Sequence, residues 1–293
     1  MPALVLLVIG IAIFSLTVSY KDESGTVRTG LQGLKIYLIP SLKGKTLQDI
    51  LIVIMDAMGQ LFYSLSIAMG IMIAYGSYVK DSDNLMKSID QIEIFDTLVA
   101  FLAGVMIIPA VYVFHGTEGL DASGPGLMFV SMPQVFMQMG RLGGSLGALF
   151  FLMVIFAALT SCISIMEAIV SSIIDKFKVS RRIATTIVTG IALVLGIVVC
   201  LGYNVFYFKF PLPNGSKAQI LDIMDYISNN VMMPIVSIAT CILIGWIVKP
   251  RYVIDEVTKN KTKFGRKYLY IAMVTVIAPL LLVILLLQAL GVV

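Results

Sequence analysis

Apolar residues run along this chain in long blocks, without the strict alternation of a half-buried strand, and short polar stretches separate the blocks. Seven blocks contain no Asp, Glu, Lys or Arg: residues 1–20, 57–79, 97–117, 142–166, 183–208, 226–248 and 268–293. An α-helix needs about 20 mostly apolar residues to cross the hydrocarbon of a bilayer, so the pattern predicts about seven transmembrane helices. An eighth uncharged run, 122–140, holds Gly124, Pro125, Gly126 and Pro133 among Ser and Gln residues. It is expected to fold back on the protein and not to face lipid. Only helices and closed barrels satisfy their backbone groups in lipid, and runs this long without a period of two select helices. The expected fold class is all-α and polytopic.

The polar stretches between the blocks are short. Lys21–Thr46 is expected to be an ordered outer loop, Lys80–Glu93 a short surface helix, Tyr203–Lys217 an irregular connection rich in aromatics and proline, and Lys249–Lys267 the most solvated part of the chain. None has the size or composition of a separate soluble domain, so residues 1–293 are read as a single membrane domain. Composition agrees, since 59% hydrophobic residues, 13% charged residues and a mean hydropathy of +0.98 exclude a water-soluble protein. Lys and Arg are retained on the cytoplasmic side. One alternating set of loops carries 13 of the 21 basic residues. That places the N-terminus of this chain inside the plasma (inner) membrane and the C-terminus outside. The net charge of +4 is scattered over juxtamembrane loops, which argues against a nucleic-acid partner. Cys162, Cys200 and Cys241 lie within predicted spans as free thiols with no metal-ligand spacing, and His115 stands at a span end in a packing role. Met1 opens into an apolar run with no basic n-region, which argues against a secretory signal.

Polar groups inside the spans are the candidate chemistry. In the second span, Gln60, Ser64, Ser66, Ala68 and Gly70 gather at the middle. Small residues with spare hydroxyls allow a helix to unwind there and expose carbonyls to an ion; close helix packing through small residues is the alternative. In the fourth span, Thr160 and Ser161 follow Ala157 by one turn, so two hydroxyls and a carbonyl share one side. Such hard oxygens suit an alkali cation better than a transition metal, although Ser and Thr in membrane helices more often back-bond to the helix itself, so the pair alone is a weak signal. Asp96, Glu167 and Asp225 stand near span ends, where a carboxylate either serves a pathway or caps a helix at the interface. With no GxSxG or HExxH and a single histidine, an intramembrane hydrolase is disfavoured and no enzyme is expected.

Four motifs in order resemble the sodium-dependent neurotransmitter and amino-acid symporters, including the bacterial leucine-type transporters. GQLFYSLSIAMG at Gly59–Gly70 with YGSYV at Tyr75–Val79 resembles the family's sixth helix, whose centre is unwound. GPGLMFVSMPQVF at Gly124–Phe136 resembles the fourth outer loop, FAALTSCISIMEA at Phe156–Ala168 the eighth helix, and DIMDYISNN at Asp222–Asn230 the start of the tenth. The resemblance implies a partial inverted-repeat fold with a broken second helix, and sodium-coupled symport of an amino acid or related small zwitterion. Na+ is the coupling ion, and no other cofactor is implied. Ser64, Ala157, Thr160 and Ser161 match sodium ligands. Asp96 falls at or next to a seventh-helix sodium ligand, where its charge replaces the chloride that animal members require. Tyr63, Ser66, Ala68, Met69 and Ile165 match positions lining the substrate pocket, and Gln60 and Asp225 match outer-gate residues.

Two departures bear on substrate size: Ala68 stands where glycine is usual and Tyr63 where phenylalanine often sits. The resemblance covers only the fifth to eleventh helices of the family. The missing first helix supplies the remaining ligands of both sodium sites, so this polypeptide alone is expected not to transport. Either the chain is a fragment or a mis-started reading frame, or a partner chain supplies the first four helices; a non-transporting structural membrane subunit is the contrasting expectation.

Overall fold

A computed structural model describes residues 2–21, 25, 27–40, 44–80, 82–121, 126–213, 217–259 and 264–292. Contacts divide the chain into two compact units, Met1–Gly44 with Ile92–Ser161, and Lys45–Gln91 with Cys162–Val293. Among the described residues, five helices are long and apolar enough to cross a membrane: Leu85–His115, Gly140–Phe177, Arg181–Leu201, Ile220–Ile247 and Lys267–Ala289. Two of the seven expected spans differ from these. The first is a helix of 16 residues, and the second is interrupted.

In the first unit, α1 (Pro2–Thr17) is apolar on all sides, as a helix buried among other helices or in lipid must be. A short antiparallel hairpin, β1 (Ser19–Lys21) with β2 (Val27–Thr29), then leads into α2 (Gly30–Leu38). Thr29 starts α2 with a reciprocal capping box, its hydroxyl accepting from the Gln32 amide while the Gln32 side chain accepts from the Thr29 amide. Helix α5 (Leu85–His115) crosses this unit, followed by a π turn at Leu127–Ser131, α6 (Met132–Gln138) and the first half of α7 (Gly143–Phe177).

Val8, Ile11 and Ala12 of α1 meet Met106, Ala110, Val111, Val113 and Phe114 of α5, Met132, Val135 and Phe136 of α6, and Phe150 of α7 in one core. The uncharged 122–140 run therefore does pack on the protein, as a π turn and a helix, with residues 122–125 outside the described part. Ser15 is fully buried and gives its hydroxyl proton to the Met106 carbonyl at 3.0 Å. Glycine lets α2 approach this closely: a Cβ on Gly33 would stand 2.6 Å from Pro109 Cα.

The helical part of the stretch expected to be a separate surface helix, from Leu85 to Glu93, is instead the first turns of α5, which runs unbroken for 31 residues. Asn84 caps it, accepting from the Lys87 amide at 3.1 Å. No glycine or proline separates Leu85 from the apolar block, so nothing stops the helix at the charges.

In the second unit, α3 (Leu47–Ser64) begins with the Thr46–Asp49 capping box, well before the charge-free run. It is followed by α4 (Ile71–Gly76), the second half of α7, and α8 (Arg181–Leu201). A two-residue strand pair, β3 (Phe210–Pro211) with β4 (Lys217–Ala218), precedes α9 (Ile220–Ile247). Then come α10 (Pro250–Thr258) and α11 (Lys267–Ala289).

Helices α9 and α11 lie antiparallel and are tied at both ends. Tyr226 donates its hydroxyl to the Ala289 carbonyl at 2.6 Å, and the Trp246 indole donates to the Thr275 carbonyl at 3.0 Å. Thr275 belongs to a π turn at Met273–Ile277, where wider bonding leaves carbonyls outside the regular ladder. Between the two ties, Ser237 is buried and its hydroxyl has no hydrogen-bond partner among the described residues.

The close approach at Gly33 gives a direct test of the packing. Gly33→Val should destabilise the detergent-solubilised protein by about 1–3 kcal/mol through overpacking against Pro109. Gly10→Ala, where no atom lies within 4 Å of the added Cβ, should leave the thermal transition in place.

Candidate functional site

Helix α3 ends at Ser64, and α4 begins only at Ile71. The chain leaves the helix through one tightened bond, from the Ser66 amide to the Tyr63 carbonyl at 3.0 Å, and one widened bond, from the Ile67 amide to the Phe62 carbonyl five residues back at 2.9 Å. Ser66, Ala68 and Gly70 then take φ values of +54°, +63° and +79°. Glycine adopts this left-handed region freely, whereas Ser66 and Ala68 are strained there by about 1–2 kcal/mol each. Alternate left-handed residues turn successive peptide groups out of helical register. Amides and carbonyls that a continuous helix would pair internally thus become available to a ligand.

Helix α4 has six residues and cannot stand alone. It docks on α7 through Met69, Ile71, Ala74 and Ala168. Tyr75 and Ser164 share a hydrogen bond of 2.5 Å, and Tyr78 donates to Glu167 Oε1 at 2.5 Å. Glu167 takes the Arg181 guanidinium on its other oxygen as an ion pair. Beside this contact lies an open cavity of about 290 Å³, walled by Met69, Gly70, Ala168, Ser172, Lys176 and Phe177 among others.

The oxygen group on α7 has the geometry that its spacing requires. Thr160 donates to the Ala157 carbonyl at 2.8 Å, and Ser161 reaches the same carbonyl at 3.3 Å. All three residues are exposed. A hydroxyl that donates its proton keeps its lone pairs, so the three oxygens form a neutral cluster able to face a cation. They lie in the first unit, as does Asp96, half-buried on α5.

The remaining expected positions lie in the second unit. Gln60, Tyr63 and Ser64 occupy the end of α3, all exposed, with Ser66, Ala68 and Met69 in the break. Ile165 is exposed on α7. Asp225 is exposed in the first turns of α9, where the Asn229 amide donates to it at 2.5 Å. The structure thus gathers Ala157, Thr160 and Ser161 at one carbonyl, and Ser66, Ala68 and Met69 along one loop.

The two tyrosine ties to α7 were not singled out from the sequence. Their signal is the matched spacing, since Tyr75 in α4 and Tyr78 in the turn just after it are three apart, as are Ser164 and Glu167 on α7. Among the described residues, no group of three His, Cys, Asp or Glu could hold a metal ion.

Two measurements test this local physics. Ala68→Gly removes a left-handed alanine and should raise the unfolding free energy by up to about 1 kcal/mol, once glycine's greater freedom in the unfolded chain is subtracted; a lower melting temperature would contradict the strain. A double-mutant cycle of Glu167→Gln and Arg181→Gln should give a small favourable coupling that shrinks as salt is added, as expected with Arg181 on the exposed side.

Comparison with known proteins places this geometry. The model of the sodium:neurotransmitter symporter family matches residues 4–293. A sodium-dependent transporter of Bacillus subtilis, YhdH, is 30% identical over 299 residues, covering 100% of this chain and 60% of that protein. A sodium-dependent transporter of Methanocaldococcus jannaschii is 28% identical over 263 residues, 88% of this chain and 50% of that protein. The crystal structure of MhsT in complex with L-phenylalanine superposes with a TM-score of 0.81 at 31% identity, covering 99% of this chain and 61% of that one. The chain thus spans between 50% and 61% of the length of these relatives. With the profile matched from residue 4 to residue 293, this chain belongs to the sodium:neurotransmitter symporter family.

Proposed function

We propose that this chain forms the C-terminal part of a multi-pass membrane symporter that couples the inward flow of Na+ to uptake of an amino acid or related small zwitterion. The observation that carries the reading is the interruption of the second span at Leu65–Gly70, flanked by α3 and α4. Counting α3 and α4 as one broken span, α1, α5, α7, α8, α9 and α11 complete seven. A break in a membrane helix is tolerated where it lines a cavity, and it supplies backbone groups to ions and charged substrates.

In this reading Ala157, Thr160 and Ser161 hold a sodium ion, with Ser64 and Asp96 as further sodium ligands on their own units. Tyr63, Ser66, Ala68, Met69 and Ile165 line the solute pocket, and Gln60 and Asp225 act as gate residues. Family membership, the sodium dependence named for its relatives, and the phenylalanine held by MhsT support the assignment. Sodium must bind one conformation better than the other to drive the cycle, and a cluster of neutral oxygens holds an alkali ion without trapping it. Uptake is proposed for a protein that also has the helices by which the relatives are longer, supplied in cis or by a partner chain.

Proteoliposomes provide the test. This chain would be reconstituted alone and together with a polypeptide carrying the first four helices of a relative, and sodium-driven amino-acid uptake followed in both. Uptake is expected only in the second case. Thr160→Ala combined with Ser161→Ala should then raise the sodium concentration for half-maximal uptake at least about tenfold, equivalent to about 1.4 kcal/mol of lost ion binding. Unchanged sodium dependence in that variant would overturn the ion assignment, and complete absence of uptake in every combination would favour a structural subunit.

A further inference from the structure

The connection from α8 to α9 is unlike any other in the chain. From Gly202 to Pro213 it holds five aromatic residues and a single charge, Lys209. Tyr203, Val205, Phe206, Tyr207, Phe208 and Phe210 each leave between 44% and 68% of their surface exposed. A contiguous exposed patch of this kind marks a surface that meets something apolar.

Both ends of the segment are anchored. Directly after α8 the chain turns, with the Tyr203 amide donating to the Cys200 carbonyl at 3.2 Å and the Phe206 amide to the Leu201 carbonyl at 2.8 Å. The aromatic run therefore begins against the end of the helix. At the far end, Phe210 pairs with Ala218 and Pro211 with Lys217, which returns the chain to α9. Gly202 lies so near α9 that a Cβ there would stand 3.1 Å from the Ile220 side chain. Both α8 and α9 have the length and composition of membrane spans. The loop is thus held at the level where two spans leave the hydrocarbon.

The chemistry of the segment matches that level. Aromatic rings with apolar bodies collect at the headgroup zone, tyrosine hydroxyls reach water there, and a lysine on an aliphatic stem can meet lipid phosphates. We propose that Tyr203–Phe210 is a membrane-interface anchor whose rings insert among the phospholipid headgroups and upper acyl chains of the adjoining leaflet, fixing the depth of the α8–α9 pair. Its occupant is the bilayer itself.

The single tryptophan, Trp246, makes the test direct. In a Trp246→Phe background, Phe206→Trp gives one fluorescent reporter in the segment. The protein would be placed in phosphatidylcholine–phosphatidylglycerol vesicles carrying a nitroxide quencher either near the headgroup or near the end of the acyl chain. Strong loss of emission with the shallow quencher, weak loss with the deep one, and protection from aqueous iodide are expected. Ready quenching by iodide without loss to either lipid label would overturn the anchor, and so would resistance to all three, which would mean that protein covers the rings. A thermal transition matching that of the Trp246→Phe parent verifies folding, and Tyr207→Trp supplies a second reporter if Phe206→Trp disturbs it.

Discussion

In hydrocarbon a backbone amide has no water to fall back on, and that constraint shapes the whole molecule. It keeps the chain helical through its apolar blocks and confines short strands to connections such as Ser19–Thr29 and Phe210–Ala218. It also makes an interruption expensive. At Leu65–Gly70 the chain gives up helical bonds and places Ser66 and Ala68 in left-handed backbone, a cost that only a compensating environment can sustain.

Part of that environment is visible on α7. The six-residue α4 is fixed by Tyr75 to Ser164 and by Tyr78 to Glu167, with Arg181 behind the carboxylate. Polar ties of this kind stand where apolar packing alone would discriminate poorly, because lipid tails are as apolar as leucine. The α9–α11 pair follows the same logic. Hydrogen bonds from Tyr226 and Trp246 bind it at each end, and a π turn presents the carbonyl that the indole takes.

The oxygen cluster at Ala157, Thr160 and Ser161 differs in kind from these ties. Each hydroxyl bonds within its own helix, to the Ala157 carbonyl one turn back. Helix strength is maintained while three neutral oxygens are grouped together, with no ionised group buried among them.

Much of this was legible in the residues. The charge-free blocks fixed the solvent and the helical class, and polar residues at Ser64–Gly70 marked the break, because each depends on neighbours within a few positions. The i, i+3, i+4 spacing of Ala157, Thr160 and Ser161 likewise guaranteed that their oxygens would converge on any helix. Tertiary structure alone decided that Met132, Val135 and Phe136 are the residues that carry the uncharged 122–140 run into a core, and that Tyr75 and Tyr78 bond to residues 89 positions away on α7. Local pattern reports what a segment prefers in a given solvent, whereas partners distant in sequence are chosen by the packing of whole helices, a quantity no short window of residues contains.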